Sequence, residues 1–387
     1  MNIKQKNKIL LVTGTYFPEI SGGNLQSKKL YDSLNNIYNF KILTFTKKKK
    51  FKTPKRNVLI SNIYRIYIDN KFFTKLLSVL NNCFYLLKNR RNYDIIHIFG
   101  LSNIYLPSIL ISKLLKKKII VKFSSYKEDN FLAIFNKSKI IYYFYKLLCD
   151  YFICISPAFI KDCKTLKINP KKYKLIQNFL ITKENYANLI TDSSILKKFK
   201  NNYLNVIFVG HFSKDKRPYF AYEVWKKSFL QNHKTNLIFV GNSTSSNFET
   251  DVNLKKKIVA DAKKNKLLNN ILFVNYTSNI EIFYKYSNIL LFPSIREGMP
   301  NTLIESLYYG LKCLSNKLPG VTDWLKYENL TIVKDSEDIN LWSNKLNQLI
   351  VKKSKRNFNK KVLKTFDNKK TLKKYVNIYK KLLKSYE

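Results

Sequence analysis

The chain has 387 residues, of which 45% are hydrophobic and 15% aromatic, a composition that excludes a disordered protein. A chain of this length has room for two domains with a core each. The formal net charge of +46, taken alone, favours a polyanionic partner such as nucleic acid or an anionic membrane surface.

The chain begins with a short basic segment followed by a predicted strand at 9–12. This apolar run is too short for the core of a signal peptide, and no later run reaches the ~18 apolar residues of a membrane-spanning helix. We therefore expect a cytoplasmic protein. The next loop contains Gly22 and Gly23 before a helical pattern, and paired glycines at a helix start let a backbone approach a phosphate or sugar closely.

Continuously apolar runs recur through the first half of the chain. Because they do not alternate with polar residues, they predict parallel strands covered on both faces, at 41–45, 58–68, 95–99, 119–123 and 152–155. Helical patterns separate them, so this half predicts a doubly wound α/β domain, which we assign to 1–185. The polar stretch that follows predicts a linker at 186–202.

The second half of the chain repeats one apolar sequence pattern. The runs NVIFVG, NLIFVG, NILFVN and NILLFP begin at Asn205, Asn236, Asn270 and Asn288, and helical patterns lie between them. A further strand is predicted at 330–333. The repeated unit of strand and helix predicts a second doubly wound domain, which we assign to 203–362, before a last helical pattern at 363–387.

The loop GHFSKDKRP follows the first strand of the second domain and contains Gly210, His211 and Lys216. A lysine that reaches back from a flexible turn can neutralise a diphosphate with its ammonium charge. The ordinary alternative is that Lys216 is one more solvated lysine of a lysine-rich chain.

The stretch PSIREGMPNTLIESLYYG, from Pro293 to Gly310, predicts a loop between a buried strand and a helix. It holds Glu297 and Glu305 on either side of the helix start. Helix N-termini attract anions and carboxylates accept hydrogen bonds from hydroxyls, so a diphosphate between a sugar and a ribose suits this junction. The alternative is an ordinary loop charge and an ordinary solvated helix residue.

This stretch resembles the signature of family 4 glycosyltransferases, retaining nucleotide-sugar enzymes of the GT-B fold. Ser306 and Tyr308 replace small residues of that signature. The loop with Lys216 is similar to the GRxxxxKG loop of the family, with His211 in place of Arg and Arg217 in place of the second Gly. The resemblance implies two Rossmann-like doubly wound domains that face each other across a cleft, with the helix at 363–387 crossing back to the first domain.

The resemblance also implies roles for the residues of the site. Glu297 would hold hydroxyls of the donor sugar, Glu305 those of the ribose, and Lys216 with His211 the diphosphate, so Glu297 and Lys216 are the catalytic candidates. The Gly-rich loop with Gly22 and Gly23 would close over the diphosphate. The loop that would bind the β-phosphate contains Gly298, Met299, Pro300, Asn301 and Thr302.

Neither a nucleophile nor a metal site is evident in the sequence. The segment SSYKEDN, from Ser124, occupies the region where many relatives place a His, and the three histidines are not spaced with Cys or Asp as a metal site requires. We expect a retaining, metal-independent transfer by front-face substitution from a UDP- or GDP-linked hexose, without a cofactor.

Two segments of the first half predict contact with a membrane. The run KKKKFKTPKR from Lys47 is polybasic, and 72–87 is apolar with basic residues beside it. Such segments bind anionic bilayers, and the acceptor would then be a lipid-linked or lipopolysaccharide-like glycan of a bacterial envelope. The alternative is that the lysines are solvated and the helix packs on its sheet.

Two other functions remain open at this point. A sugar-nucleotide epimerase shares the fold, but it would need an acid and a base, and only Glu297 is evident. A nucleic-acid-binding protein would suit the charge. However, only seven of the 71 basic residues are Arg, which binds bases and phosphates in a bidentate way better than Lys does, and no known nucleic-acid-binding motif is present. We expect no specific nucleic-acid partner.

Overall fold

The computed structural model describes residues 6–19, 21–54, 61–69, 71–180, 203–231, 234–243, 250–334, 337–352 and 357–384. The predicted linker at 186–202 lies outside these residues. The chain divides into two compact units, the first formed by 1–179 together with 366–387 and the second by 180–365.

The first unit is built on a seven-stranded parallel sheet with the order β3-β2-β1-β4-β5-β6-β7. Its strands are β1 Lys8–Thr13, β2 Asn39–Thr46, β3 Ile63–Tyr67, β4 Ile95–Phe99, β5 Lys118–Lys122, β6 Tyr151–Cys154 and β7 Tyr173–Leu175. Its helices are α1 Gly22–Leu34, α2 Phe72–Lys88, α3 Leu106–Leu114, α4 Phe131–Lys137, α5 Lys139–Leu148, α6 Pro157–Thr165 and the C-terminal α13 Asn368–Leu383.

A single apolar core joins α1, α13 and one face of this sheet. Tyr375 and Tyr379 of α13 are fully buried in it with Leu30 of α1 and Ile95 of β4. The ring of His97, on β4, is also fully buried, and its Nδ1 lies 2.7 Å from the Tyr379 hydroxyl. The last helix of the chain is therefore part of the core of the first unit.

The second unit contains a six-stranded parallel sheet with the order β10-β9-β8-β11-β12-β13. Its strands are β8 Leu204–Val209, β9 Thr235–Val240, β10 Ile271–Val274, β11 Ile289–Phe292, β12 Lys312–Asn316 and β13 Leu330–Val333. Its helices are α7 Pro218–Leu230, α8 Val252–Lys264, α9 Ile280–Tyr286, α10 Asn301–Tyr308, α11 Ile339–Val351 and α12 Lys360–Thr365. Single 3-10 turns lie at Lys49–Phe51, Asn103–Tyr105, Pro170–Lys172 and Leu268–Asn270.

The apolar runs of the sequence correspond to these strands, although residues 58–60 of the run 58–68 lie outside the described residues and β3 begins at Ile63. The predictions at 95–99 and 330–333 match β4 and β13 residue for residue. Two strands, β7 and β12, were not predicted. The segment KCLSN of β12 begins with Lys and ends with Ser and Asn, although its last four residues are buried, so its composition gave no strand signal.

The helical pattern at the C-terminus is interrupted. Residues 363–383 form two helices, α12 and α13, because Asp367 caps the second one. Its carboxylate accepts hydrogen bonds from the amides of Lys369 and Lys370, at 2.8 and 3.1 Å. One continuous helix over this segment is therefore wrong.

Candidate active site

The candidate site of the second unit lies at the middle of its sheet. The chain runs outward from β8 to β9 and β10, then returns to place β11 on the other side of β8. The strand order thus reverses between β8 and β11, and ligands of open α/β sheets bind at the carboxyl ends of the two strands that flank such a reversal. The loop with Lys216 follows β8, and the loop with Glu297 follows β11.

These two loops are tied together by Asp215. Its backbone carbonyl accepts a hydrogen bond from the amide of Ile295 at 3.0 Å, and its carboxylate pairs with the guanidinium of Arg296. The carboxylate and guanidinium are each about one third exposed. The backbone contact and the ion pair together hold the neighbouring residues, Lys216 and Glu297, on facing loops.

Lys216 and Glu297 form an ion pair between the loops. The Oε1 atom that receives the ammonium also accepts a hydrogen bond from the Ser294 hydroxyl, at 2.8 Å. The side chains of Lys216 and Glu297 are only 25% and 11% exposed, so the pair is partly shielded from solvent. The structure thus brings together the two residues that the sequence nominated as catalytic.

The loop after β8 also packs against the end of β9. A Cβ atom at Gly241, which follows β9, would lie 2.0 Å from the carbonyl oxygen of Gly210. No side chain fits at that distance, so the glycine permits direct contact between the two backbones. The backbone of Gly210, predicted as part of a flexible turn, is therefore held in place by its contact with Gly241.

The rest of the loop after β8 departs from the family pattern at a position where the backbone is left-handed. Arg217 stands where a glycine is usual and has a left-handed conformation, with φ +58°. Its guanidinium carbon lies 3.9 Å from the centre of the Phe220 ring, and it pairs with Glu337 at 2.9 Å. His211 is half-buried at the start of the same loop.

The helix α10 begins immediately after the second loop. Pro300 precedes it and provides no side-chain cap. The first amides of a helix have no partner within the helix, so this end suits an anion. Of the residues predicted to bind the β-phosphate, Gly298, Met299 and Pro300 are buried, and Asn301 and Thr302 are half-buried.

Glu305 lies further along α10 and is buried rather than solvated. One of its carboxylate oxygens accepts a hydrogen bond from the Tyr284 hydroxyl of α9, at 3.0 Å. Burial raises the pKa of Glu305 to about 8, the hydrogen bond from Tyr284 opposes that rise, and the nearby Glu281 adds to it. Glu305 is therefore an acceptor held in place by a tyrosine, close to a second buried carboxylate.

The predicted glycines of the first unit lie at the start of α1. Gly22 and Gly23 are its first two residues, after the N-cap Ser21. Ser21 and Asn24 form a capping box, with hydrogen bonds of 3.3 and 3.0 Å. A Cβ at Gly23 would make only an ordinary contact, 4.0 Å from the Ser21 hydroxyl, so the packing of the protein does not itself require glycine there.

Sequence reasoning missed four residues that shape the site of the second unit. They are Asp215, Tyr284, Ser294 and Glu281. A weak signal exists for Asp215, which directly precedes Lys216, and for Ser294, which lies three positions before Glu297. Tyr284 and Glu281 belong to a segment that we interpreted only as a helix.

The structure places no three His, Cys, Asp or Glu side chains together as a metal-ion site among the residues it describes. Four of the five cysteines are buried, Cys83 is half-buried, and all five are free thiols.

Residues 192–365 match the family model described as Glycosyl transferases group 1, and this range includes both loops of the candidate site. The capsular polysaccharide biosynthesis glycosyltransferase CapH of Staphylococcus aureus is 26% identical over 307 residues, which are 76% of this chain and 78% of CapH. An Escherichia coli protein, UDP-Gal:alpha-D-GlcNAc-diphosphoundecaprenol alpha-1,3-galactosyltransferase, is 26% identical over 193 residues, which are 47% of this chain and 46% of that protein.

Solved structures with the same fold include a glycosyltransferase from Rickettsia africae ESF-5. It has a TM-score of 0.69 and 18% identity, with 98% of this chain and 99% of that chain covered. The structure of Anabaena Alr3699/HepE in complex with UDP-glucose has a TM-score of 0.68 and 13% identity, with 97% of this chain and 99% of that chain covered. At such identities the likeness shows the fold, and the predicted class of two Rossmann-like parallel-sheet domains of the GT-B type is confirmed.

Proposed function

We propose, from the match of residues 192–365 to the Glycosyl transferases group 1 model, that the protein is a retaining, family 4 glycosyltransferase. It moves a hexose-type sugar from a UDP- or GDP-linked donor to a glycan or lipid-linked acceptor. The observation that carries the proposal is the ion pair of Lys216 and Glu297 where the strand order of the sheet reverses. The family match gives no support to the epimerase alternative.

The ion pair supplies both kinds of contact that a sugar diphosphate needs. Lys216 and Glu297 satisfy each other in this structure. A donor diphosphate would take the ammonium, and a hydroxyl of its sugar would donate to the carboxylate, which Ser294 still holds by one hydrogen bond. Each charge thereby exchanges one partner for another and is not left unpaired.

The reaction proposed is a front-face substitution. The bond between the anomeric carbon and the diphosphate oxygen breaks, and the acceptor oxygen bonds to the same face of the sugar. The acceptor proton passes to the departing diphosphate, so no protein base and no metal is required. Lys216 and the start of α10 stabilise the negative charge that develops on the diphosphate.

The names of the relatives suggest the biosynthetic pathway in which the protein acts. The names of the Staphylococcus aureus and Escherichia coli relatives refer to a capsular polysaccharide and to a diphosphoundecaprenol-linked sugar. We accordingly place the protein in bacterial cell-surface polysaccharide synthesis, where its acceptor is a growing glycan or a polyprenyl diphosphate sugar on the cytoplasmic side of the membrane.

The test is transfer or slow hydrolysis of the donor by variants of Glu297. Nucleotide sugars are first screened by thermal shift, and the hits are then assayed for turnover. We expect Glu297→Ala and Glu297→Gln to lower kcat by about 100-fold or more while the free nucleotide still raises Tm, because the lost contact is to the sugar.

The matched control is Glu328→Ala, an exposed glutamate of the same unit. Its turnover should equal that of the wild type. Near-normal turnover of Glu297→Ala would refute the assignment of Glu297, and a chain that no nucleotide sugar stabilises would refute the donor class.

A further inference from the structure

Exposed apolar side chains are concentrated on three helices of the first unit. Among the described residues, 23 large hydrophobic side chains are exposed, and fourteen of them belong to α2, α3 and α5. Isolated exposed apolar residues are normal on a protein surface, but a concentration of this kind marks a surface that another partner covers.

The helix α2 presents most of its apolar residues to solvent. Phe72 and Phe73 are 76% and 74% exposed, and Leu77 and Leu80 are each 55% exposed. A helix that only packs on its sheet would show the opposite arrangement, with these residues inward and polar residues outward. The alternative, in which the lysines are solvated and 72–87 only packs on its sheet, therefore does not explain this face.

The inward face of the same helix includes polar residues beside the buried Tyr85 and Leu86. Ser78 and Asn82 are buried, and the Asn82 amide and the Ser108 hydroxyl of α3 exchange hydrogen bonds of 2.9 and 3.0 Å. These buried contacts fix the rotation of α2 about its axis, because turning the helix would leave the amide unsatisfied. The outward position of the phenylalanines and leucines is thus built into the packing.

The helices α3 and α5 extend the same surface. Leu114 at the end of α3 is 78% exposed, and Ile140 and Leu147 of α5 are 71% and 75% exposed. On α5 the inward positions are taken by Tyr142 and Tyr145, which are buried. Each of these helices therefore has apolar residues left over after its own packing is complete.

The three helices are neighbours. The connections from β3 to β4, from β4 to β5 and from β5 to β6 all run in one direction across the sheet, and right-handed crossovers then place α2, α3 and α5 on one face of it. The middle helix, α3, contacts both of the others. We call the outward side of α2, α3 and α5 the apolar three-helix face.

The charge of this face is mainly positive, with Asp69 beside the start of α2 and Asp150 paired with Lys113 of α3. None of the three helices contains Asp or Glu. Exposed basic residues flank or interrupt the apolar ones, at Lys71, Lys75, Lys88, Arg90, Arg91 and Lys139. An apolar surface with a basic rim is complementary to a bilayer with anionic headgroups.

We propose that the apolar three-helix face docks the protein on an anionic lipid bilayer, with the side chains of Phe72, Phe73, Leu77, Ile140 and Leu147 inserted among the acyl chains. The basic rim then lies at the level of the headgroups. None of the described helices is long and apolar enough to cross a bilayer.

Charge decides between a bilayer and a second copy of the chain as the occupant. Two copies joined through this face would bring two lysine-rich rims together in a protein that already carries +46 charges. Anionic lipid removes that repulsion. The predicted polybasic run 47–56 adds to the same unit, although its last two residues lie outside the described part of the chain.

The first test is co-sedimentation of the full chain with phosphatidylglycerol-containing vesicles and with pure phosphatidylcholine vesicles. We expect binding to the anionic vesicles that persists in part at high salt. The double variant Phe72→Ser with Phe73→Ser should weaken it by about tenfold or more, because insertion scales with buried apolar area. Its thermal stability should equal that of the wild type, since both side chains are exposed.

Two control variants belong to the second unit. Leu230→Ser removes a side chain that is 62% exposed, and Lys263→Gln with Lys264→Gln removes two exposed charges. Both should bind vesicles as the wild type does. The matched charge variant of the face, Lys71→Gln with Lys75→Gln, should lower binding mainly at low salt.

The second test distinguishes insertion from adsorption. A tryptophan introduced as Phe73→Trp should be quenched by vesicles of brominated lipid, whereas Leu230→Trp should not. Binding that the serine variants do not change, or absence of quenching at position 73, would overturn the proposal. So would a lipid-free dimer that the Phe72→Ser with Phe73→Ser variant dissociates, because a second copy would then cover the face.

These measurements need neither donor nor acceptor. A failure of membrane docking is therefore distinguishable from a failure of the proposed transferase activity.

Discussion

Glu305 has a raised pKa that affects stability as well as binding. Its pKa moves from 4.5 to about 8 because of burial. Between these two values the unfolded chain has lost the proton that the folded protein keeps, so the free energy of unfolding decreases as the pH rises from 4.5 to 8. The raised pKa favours the protonated carboxyl, and a partner that donates hydroxyl hydrogen bonds would favour its ionised form.

We expect Glu305→Gln to remove this pH dependence. The amide oxygen can still accept from Tyr284, so the variant should be more stable than the wild type at pH 8 and similar to it near pH 4.5. Thermal unfolding at the two pH values measures the difference. Glu328→Gln, at an exposed position, should follow the wild type, and a Glu305→Gln curve parallel to the wild type would contradict the raised pKa.

Lys122 is the least solvated cation that the structure describes. It lies on β5 and is 3% exposed, with its ammonium 5.4 Å from the centre of the Phe99 ring and 5.9 Å from that of Tyr375. Burial lowers its pKa from 10.5 to about 7, and the same burial, with Lys122 nearby, lowers the pKa of His97. The unfolded chain therefore binds more protons between pH 7 and 10.5, and stability rises with pH there.

We expect Lys122→Met to be more stable than the wild type at pH 7, by an amount on the order of a few kcal/mol, because each pKa unit corresponds to ~1.4 kcal/mol. Urea unfolding at pH 7 and pH 9 measures this difference. The gain should shrink at pH 9, because deprotonating Lys122 costs less free energy as the pH approaches its unfolded pKa of 10.5. Lys161→Met, at an exposed position of α6, serves as control. A destabilised Lys122→Met variant would show that the ammonium has a structural partner.

Among single residues, those chosen from the sequence belonged to recognisable motifs. Lys216 and Glu297 were chosen for their places in two such loops, and the structure joins them across 81 positions of the chain. Tyr284 was missed because its role depends on contact with Glu305 between two helices, 21 positions apart. A single sequence contains no sign of which tyrosine approaches which carboxylate.

The helix α10 shows how an element depends on a position beyond its end. Gly310 follows it with φ +72°, and a Cβ there would lie 2.3 Å from the carbonyl oxygen of Asn357. The segment before α12 consequently lies directly against the end of α10. The glycine in the signature thus serves packing as well as chain reversal.

We expect Gly310→Ala to destabilise the second unit by at least about 1–2 kcal/mol, the usual cost of a left-handed non-glycine residue, with the clash added. Chemical denaturation measures it. Gly23→Ala is the matched comparison, because a Cβ there has only an ordinary contact, and its stability should be unchanged or slightly higher. Equal stability of both variants would contradict the close approach at Gly310.

Strands were predicted well where they consist of apolar side chains alone. The run at 95–99 is buried along its whole length, and its composition shows this directly. The strand β12 was not predicted because it contains polar residues, such as Ser315 and Asn316. They are buried because β11 and β13 flank β12 on both sides. A central position in a sheet is a property of the fold, and composition records it only in part.

At the scale of the whole molecule, the fold does not depend on the charge of +46. The two parallel sheets follow from the apolar runs and would form with any solvated surface. The apolar three-helix face was predicted only in its first helix, since α5 was read as part of the alternation of strands and helices. Exposure of Ile140 or Leu147 depends on which side of the helix meets the sheet.

The position of α13 has a consequence for the order in which the protein acquires structure. The first unit needs residues 366–387, whereas the second is contained in 180–365. During synthesis from the N-terminus, residues 1–179 leave the ribosome without Tyr375 and Tyr379, which fill their core. The unit that is made first is thus completed last, after the second unit has had time to fold, and until then its unfilled core is a surface that chaperones can bind.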